Sequence, residues 1–252
     1  MPVIPRDAAS LVLLRGTPDK PEVLMGRRNE NLRFMPGYYV FPGGTVDDTD
    51  DAVSQGLSLH PETMKSLARH AAPERQGALV WAALREAWEE TEVFFGAPDG
   101  QWNIQTGHCA AADAYRAEGL TPGAERMAFI ARAVTPRESP MRFDSRFFLA
   151  DAGPEGAYVS GTPRATGELE DVAWHRAEMV IATYPMANIT RFVLCRALAI
   201  WCAGSPSGGP FEPSDRSIPC FTQRNRSFAM AEDNPGDPPQ IDPESLKWPD
   251  ED

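Results

Sequence analysis

The spacing of apolar and polar residues along the chain predicts strands and helices in alternation. Short apolar runs rich in β-branched and aromatic residues indicate strands, whereas apolar positions three to four residues apart indicate helices. The last helix begins at Asn188, a residue type that favours helix N-caps. The predicted strands are 8–14, 22–27, 38–41, 127–134, 145–150 and 171–174, and the predicted helices are 62–71, 109–117, 188–202 and a long one from about 76.

This order of elements favours an α/β fold with helices on both faces of a mixed sheet. The chain has 252 residues, of which 42% are hydrophobic, enough for one sizeable core. We therefore predict a single domain over residues 1–204. Pro, Gly, Asp and Ser dominate 205–216 and 231–252, so 205–252 is predicted to be a partly disordered tail, in which 218–230 could add a strand to the core.

The stretch from Arg85 to Glu90, reading REAWEE, places three carboxylates on one side of the long predicted helix. At about 100° per residue, Glu89 and Glu90 lie about 60° behind and about 40° ahead of Glu86, while Trp81 points the opposite way. A glutamate-rich helix face alone is typical of solvated surface. Like charges at this spacing destabilise a helix, however, and a bound divalent cation would remove that cost.

A glycine turn lies upstream of the acidic helix. Residues 40–47 read VFPGGTVD, a run of strand-forming residues that leads into Gly43 and Gly44. Because glycine has no Cβ, backbone carbonyls at such a turn can face inward. Mg²⁺ takes oxygen ligands from carboxylates, carbonyls, water and substrate phosphate. The turn and the helix together therefore supply the ligands that a hard cation needs.

These residues resemble the Nudix box. In that family motif a glycine, a spacer and an acid precede a helix with an Arg-Glu pair and then a Glu-Glu pair, and here Gly44, Asp50 and REAWEE match it. The PGG turn, the strand before it and ELEDVAWH at 168–175 are also similar, so the resemblance covers roughly residues 7–202. It implies an α/β/α sandwich around a mixed sheet and a metal-dependent diphosphate hydrolase.

The resemblance also implies which residues act. Arg85 would orient the box carboxylates through ion pairs. The general base would come from the box helix or from a later loop, where Glu168 and Glu170 are the candidates. The cofactor would be Mg²⁺ or Mn²⁺. The implied metal ligands are the carboxylates of Glu86, Glu89 and Glu90 and the carbonyl of Gly43.

Three departures from the family pattern change the expectations. Between Asp50 and Arg85 stand 34 residues where the family has a short spacer, so about 51–76 is inserted into the box. An insertion there resembles the branch of peroxisomal coenzyme A diphosphatases. The first acid is Asp50 rather than Glu, and Glu92 replaces a glycine that ends the helix in a left-handed conformation. Such a conformation costs a non-glycine residue roughly 1 kcal/mol, so we expect the helix to continue toward Gly96.

Charge and cysteine usage exclude some classes of protein. The net charge of −12 argues against a general binder of nucleic acid or of anionic membranes, because such proteins neutralise phosphates with Lys and Arg. Four scattered cysteines without a CxxC pair indicate reduced thiols in a cytoplasmic protein. The early apolar run is too short for a secretory signal, and no helical pattern reaches the roughly 20 apolar residues that span a membrane.

The expected substrate is a nucleoside diphosphate derivative. Coenzyme A or an acyl-CoA is favoured only by the box insertion, and hydrolysis of ADP-ribose or a nucleoside triphosphate suits the same chemistry. Guanidinium groups near strand ends can fork onto phosphate, and neighbouring aromatic rings can stack on a base. A homodimer is left open, since Nudix relatives often dimerise. The candidate substrate-binding residues are Arg27, Arg28, Arg142 and Arg146.

Two alternatives are not enzymes. A Nudix-fold sensor that binds a nucleotide without cleaving it is expected to lack box glutamates, and here all three are present. A protein-interaction surface formed by the acidic helix would not respond to Mg²⁺. Turnover that depends on a divalent cation and on Glu86 would separate an enzyme from both.

Overall fold

The computed structural model describes residues 3–98, 102, 109–153, 156–204, 217–224 and 227–232. The strands are β1 (Arg6–Thr17), β2 (Lys20–Arg28), β3 (Tyr39–Val40), β4 (Gly43–Thr45), β5 (Phe94–Ala97), β6 (Thr121–Pro122), β7 (Ala128–Val134), β8 (Phe143–Asp151), β9 (Val159–Ser160), β10 (Leu169–Arg176), β11 (Pro219–Arg224) and β12 (Ser227–Glu232). All six predicted strands are present; four are extended by one to three residues at either end, and β3 and β7 are slightly shorter than predicted.

The helices lie between the strands, as the sequence pattern predicts. The longest, α3, carries the acidic stretch, and a short 3₁₀ turn at Ala124–Arg126 precedes β7. The last long helix, α6, begins at the predicted Asn188. The helices are α1 (Asp50–Ser54), α2 (Pro61–Leu67), α3 (Pro73–Thr91), α4 (Ala110–Ala117), α5 (Ala177–Thr183) and α6 (Asn188–Gly204).

The main sheet is mixed. Its strand order is β10-β2-β1-β8-β7-β11-β12, with β3 added to β2 and β4 added to β1. β1 runs parallel to β8, and β7 runs parallel to β11. The other neighbours are antiparallel. β6, β5 and β9 form a smaller antiparallel sheet.

Helices cover both faces of the main sheet. Successive side chains of a strand point to opposite faces, and β1 supplies both. Ala9, Leu11 and Leu13 belong to a buried cluster with residues of α3. Val12 and Leu14 belong to a second buried cluster, with residues of α6. The predicted α/β/α sandwich around a mixed sheet is therefore confirmed.

One edge of β1 is shared by two partner strands. β2 pairs with the C-terminal part of β1, at 14–17, and β4 pairs with 8–10. Between these partners, the Leu11 N–H donates to the Pro42 carbonyl at 3.0 Å. The glycine turn is therefore fixed in the sheet, with α3 packed against both β1 and β4.

The inserted segment forms α1 and α2 and packs against the rest of the domain. Val53 and Leu67 are fully buried within the cluster that contains α3. The Thr63 hydroxyl donates to the Met127 carbonyl, just before β7, at 2.6 Å. The insertion therefore contributes to the core, while the domain limits at 1–204 stay a prediction.

The end of α3 differs from the expectation. The helix ends at Thr91, and Glu92 adopts the left-handed conformation with φ 56° and ψ 20°. The expected continuation toward Gly96 is therefore wrong. Gly96 lies in β5, where a Cβ atom would come within 2.3 Å of the Thr121 carbonyl oxygen. The pairing of β5 with β6 and β9 thus determines where the helix stops.

Replacing Glu92 by glycine is expected to raise the free energy of unfolding by about 0.5 kcal/mol. Glycine removes the strain of the left-handed conformation, although it also gains freedom in the unfolded chain. The lost ion pair with Arg164, 3.6 Å long and largely exposed, contributes little. Urea denaturation measures the change. Glu118→Gly is the control, because Glu118 caps α4 in a right-handed conformation, where glycine should destabilise. A loss of stability in Glu92→Gly would contradict the prediction.

Other differences have simple physical reasons. α3 begins at Pro73 rather than near Gln76, because the fixed φ of proline suits the first helical turn. The segment 218–230 gives two paired strands, β11 and β12, instead of one. α1, α5, β4, β5, β6 and β9 are short elements that the sequence pattern did not indicate. The rest of the predicted tail, at 205–216, 225–226 and 233–252, lies outside the described residues.

All four cysteines lie in the described residues, and none forms a disulfide. Burial raises the pKa of the Cys195 thiol, against the opposing charge of Arg191. In the part of the chain that the structure describes, no helix is both long and apolar enough to span a membrane.

Candidate active site

Arg85 lies at the centre of the acidic side of α3. Its side chain is 4% exposed, and Asp50, at the start of α1, is fully buried. Nε and Nη2 of Arg85 lie 2.9 Å and 3.0 Å from the two carboxylate oxygens of Asp50. Nη2 also donates to the Thr45 carbonyl at 2.7 Å. The bidentate contact with Asp50 fixes the guanidinium plane. Together with the bond to Thr45, it joins α3 to α1 and β4.

The remaining terminal nitrogen of Arg85 faces further carboxylates. Nη1 donates to Glu86 Oε1 and to Glu89 Oε2, both at 2.9 Å, and lies 3.7 Å from Asp47 Oδ2. Burial lowers the pKa of Arg85, but its hydrogen bonds with Asp50 and the surrounding negative charge raise that pKa overall above its usual range. One permanent cation is therefore surrounded by four carboxylates.

Glu90 is the most enclosed of the box glutamates. It is 4% exposed, and its Oε2 accepts a hydrogen bond from the Gly43 N–H at 2.8 Å. Burial is the main reason why the pKa of Glu90 lies well above its usual range. The charges of Glu86 and Glu168 raise it further, while the Gly43 N–H and Arg28 oppose the shift. The glycine turn thus contacts the acidic helix directly.

Glu86 and Glu89 also have raised pKa values. Burial raises the pKa of Glu86 to about 7, aided by the charge of Glu89 and opposed by Arg85. Burial is likewise the main cause of the raised pKa of Glu89. The cluster therefore holds more negative charge than the protein itself compensates. A cation bound there would favour the ionised carboxylates and lower these pKa values.

The side-chain positions do not by themselves form a complete metal site. Within the described ranges, no three His, Cys, Asp or Glu side chains are grouped so that they could hold a metal ion. Arg85 bonds Glu86 and Glu89, and Glu90 turns to the Gly43 N–H. The donor chemistry nevertheless fits a hard cation, because these are carboxylate oxygens with uncompensated charge. Cation binding would require the glutamates to exchange some of their present contacts.

Glu168, just before β10, and Glu170, near the start of β10 where it pairs with β2, lie beside two of the predicted arginines. Arg28 Nη2 donates to Glu168 Oε1 at 3.1 Å, and Arg27 Nη2 donates to Glu170 Oε2 at 2.6 Å. The charges of Arg28 and Glu168 both act on the pKa of Glu90, so this pair lies within electrostatic reach of the box. The roles of Glu168, Arg27 and Arg28 stay predictions.

Arg142 and Arg146 are engaged by other parts of the chain. Arg142 donates to the carbonyls of Thr135 and Val3, at 3.1 Å and 2.6 Å. Arg146, 4% exposed, donates to Asp7 at 2.7 Å and to the His70 carbonyl at 2.8 Å. These contacts tie β8 to β1 and to the insertion, whereas the structure gives neither arginine a contact with a box glutamate. Their role in substrate binding stays a prediction, with no contact here that favours it.

Asp50 is a residue of the candidate site whose burial and pairing the sequence pattern did not indicate. The family motif places it as the first acid without a stated role, but it is fully buried, bonds Arg85 and accepts a hydrogen bond from the Asp47 N–H. Thr45 contributes only its backbone carbonyl, which accepts from Arg85, so its side chain gave no indication of this contact. The family position of Asp50 was the available clue, and the 34 intervening residues obscured its pairing with Arg85.

Replacing Gly44 by alanine is expected to lower catalytic turnover by about tenfold or more without unfolding the domain. A Cβ atom there would lie 2.3 Å from Glu86 Oε1, the end of a flexible side chain that must move away. Gly43→Ala should instead destabilise, since its Cβ would meet Ser10 Oγ at 2.3 Å and the Ala9 carbonyl at 2.5 Å. Turnover and thermal unfolding of both variants test this contrast. Full activity in Gly44→Ala would contradict it.

Comparison with solved structures gives matches to Nudix hydrolases. A solved Nudix hydrolase from Alicyclobacillus acidocaldarius is 31% identical, covers 82% of this chain and 99% of its own, and has a TM-score of 0.61. A MutT Nudix hydrolase from Burkholderia pseudomallei is 17% identical, over 77% of this chain and 98% of that one, with a TM-score of 0.43. No family model and no curated protein matches.

A mixed sheet between helices, with a glycine turn held against an acidic helix, is the arrangement that the Nudix resemblance predicts for a hydrolase of the diphosphate-processing type. The 31% identity over nearly the whole of the Alicyclobacillus protein agrees with it. The chain therefore belongs to the Nudix hydrolase family. The predicted family and enzyme class are confirmed, whereas the likeness to the coenzyme A diphosphatase branch stays a prediction.

Proposed function

We propose that the chain hydrolyses a phosphoric anhydride bond in a nucleoside diphosphate derivative, with a divalent cation bound at the box glutamates. The observation that carries this proposal is the concentration of carboxylates around Arg85, whose one positive charge faces the acids of α3, α1 and the preceding turn. A diphosphate adds further negative charge. Binding it requires added positive charge, which a divalent cation supplies.

The residues that would hold Mg²⁺ or Mn²⁺ are Glu86, Glu89 and Glu90, with the carbonyl of Gly43. Such a cation, when bound, neutralises phosphate oxygens and acidifies water. Arg85 would keep Glu86 and Glu89 in position through its present hydrogen bonds, and Asp50 would fix Arg85. The buried pair therefore supports the site without contacting the substrate.

Glu168 is the residue that we propose as general base. Its carboxylate is half exposed, so water can reach it. Its charge raises the pKa of Glu90, so it lies within electrostatic reach of the box. It would accept a proton from the attacking water, and Arg28 would hold the carboxylate in place through the hydrogen bond to Glu168 Oε1. Glu170 is less suited to this role, since Arg27 and Asn29 already occupy both of its oxygens.

The substrate class rests on the groups beside this base. Arg28 also donates to the Phe34 carbonyl at 2.8 Å, and the Phe34 ring meets Phe143 edge-on at 5.2 Å between centroids. A guanidinium bonded to the backbone of a segment that carries a half-buried ring suits a phosphate joined to a nucleobase. Coenzyme A or an acyl-CoA is one such substrate, and ADP-ribose or a nucleoside triphosphate are others.

A cytoplasmic location, which suits the reduced thiols, and a homodimer also stay predictions.

Product release from a substrate panel tests this proposal. Coenzyme A, ADP-ribose, NADH, a diadenosine polyphosphate and a nucleoside triphosphate would each be incubated with the protein and Mg²⁺ or Mn²⁺. We expect turnover of at least one compound, its loss in a chelator, and its loss in Glu86→Gln. Turnover unaffected by both changes would contradict the metal-dependent mechanism. No turnover, with a folded protein that still binds a nucleotide, would favour the sensor.

A further inference from the structure

β10 contains a bulge next to the proposed general base. Glu170 pairs with Arg27 of β2, but the next pair joins Ala173 to Met25, so two residues of β10 stand opposite Gly26. Asp171, the first of the two, has a φ of 48°. Aspartate tolerates this left-handed conformation better than most residues, yet it needs support from its surroundings.

The bulge sets which residues face the arginines. A regular ladder continued from Ala173 would place Glu170 opposite Arg28 and Asp171 opposite Arg27. The extra residue moves this segment by one position, so that Leu169 stands opposite Arg28 and is fully buried. A shift of one residue turns every side chain to the other face of a sheet. The position of Glu168 relative to Arg28 therefore depends on the bulge.

Tyr39 holds the bulge from the opposite side of β2. Tyr39 lies in β3 and is 9% exposed, and its hydroxyl donates to the carboxylate of Asp171. Burial and this hydrogen bond raise the pKa of Tyr39 above its usual range, so the hydroxyl keeps its proton and remains the donor. The Tyr39 N–H is itself fixed by the Pro185 carbonyl at 2.9 Å. The contact therefore fixes Asp171 to an ordered part of the fold.

Two neighbouring groups complete the support. His175 Nε2 lies 3.1 Å from the Asp171 carbonyl oxygen, and His175 Nδ1 lies 3.1 Å from the Tyr184 hydroxyl. The rings of Tyr39 and Tyr184 are in contact, with centroids 4.3 Å apart. The two tyrosines thus share one environment, but only the Tyr39 hydroxyl reaches the carboxylate of Asp171. This difference provides a matched control.

We propose that Tyr39 is a positioning residue for Glu168. It holds the β10 bulge through Asp171, and the bulge keeps Glu168 beside Arg28 and toward the box. This inference rests on the proposed function, in which Glu168 accepts the proton of the attacking water. Tyr39 itself touches neither the substrate nor the reacting water in this role.

Tyr39→Phe tests the inference, because phenylalanine keeps the ring and removes only the hydroxyl. We expect kcat to fall about tenfold with KM nearly unchanged, the size typical of losing a support for an active residue. Tyr184→Phe should lower kcat less than Tyr39→Phe does, because the Tyr184 hydroxyl reaches Asp171 only through His175. Asp171→Asn should also retain most activity, since asparagine accepts the left-handed conformation and its amide oxygen can accept from Tyr39.

The route through Glu168 is tested by a double-mutant cycle. If Tyr39 acts through Glu168, adding Tyr39→Phe to Glu168→Gln should not lower kcat further. Equal losses in both backgrounds, or an unchanged kcat in Tyr39→Phe, would overturn the inference. If Glu168→Gln alone leaves kcat unchanged, the base assignment fails, and the role of Tyr39 toward Glu168 fails with it.

Amide hydrogen exchange gives a readout that needs no turnover. We expect faster exchange over 167–172 in Tyr39→Phe, with β8 as an unaffected internal reference. If the parent protein hydrolyses nothing on the panel, the proposed function fails. Faster exchange over 167–172 in Tyr39→Phe would still support the inference that Tyr39 stabilises this segment. Unchanged exchange over 167–172 would overturn it, whatever the activity.

Discussion

Glu90→Gln is expected to lower metal-dependent turnover by at least about 100-fold while leaving the fold as stable as before or more so. Glutamine keeps the shape of the side chain but supplies no negative charge to a cation. Glu90 is 4% exposed, and burial holds its pKa well above the usual range, so its ionised form is costly in the protein without a cation. A neutral amide removes that cost and can still accept from the Gly43 N–H.

The effect on activity and the effect on stability should therefore have opposite signs. Turnover would be measured with Mg²⁺ or Mn²⁺, and unfolding by urea would be measured in a chelator. Glu74→Gln is the control, since Glu74 lies in the first turn of the same helix and is exposed. It should keep full turnover. If Glu90→Gln loses activity only because it unfolds, the assignment of Glu90 as a cation ligand is contradicted.

Arg85→Ala is expected to lower the free energy of unfolding by about 3–5 kcal/mol, the cost of leaving a buried charge without its partner. Asp50 is fully buried and would lose both of its bonds to the guanidinium, while Glu86 and Glu89 would lose their shared cation. For a chain of this size the loss corresponds to roughly 6–20 °C in Tm. Turnover should also fall, because Glu86 and Glu89 would lose the guanidinium that holds them in place.

Arg75→Ala separates this effect from the loss of any ion pair on α3. Arg75 contacts Asp51 at 2.6 Å, but both side chains are about a third to a half exposed. A pair screened by water contributes about 1 kcal/mol or less. Thermal unfolding of the two variants gives the comparison. Equal shifts in Tm would contradict the central role of the buried pair between Arg85 and Asp50.

Local patterns in the sequence were sufficient for much of the fold. The apolar alternation of β1 and β2 and the helical spacing of α3 and α6 depend on neighbours within a few residues, and the structure confirms these elements. The end of α3 was mispredicted for the opposite reason. Glu92 was judged by its own conformational cost, whereas the pairing of β5 with β6 and β9 leaves the chain no room to continue the helix.

Some features of the candidate site could likewise be predicted from local sequence, and others could not. That Glu86, Glu89 and Glu90 share one side of a helix follows from helical geometry alone. That Asp50 is the buried partner of Arg85 does not, because 34 residues separate them and the insertion must fold first. The hydrogen bond from Tyr39 to Asp171 likewise joins β3 to β10, which lie on opposite edges of β2. No spacing in the sequence indicates this contact.

The sequence by itself determined the family, the order of the main elements and the carboxylates that could bind a cation, since each is encoded by residue type and short-range spacing. Only the tertiary structure decided which charges are paired, how deeply each is buried and therefore how far each pKa moves. Those properties depend on desolvation and on distances between segments far apart in the chain. Both the desolvation and the distances are set by tertiary packing rather than by local sequence pattern.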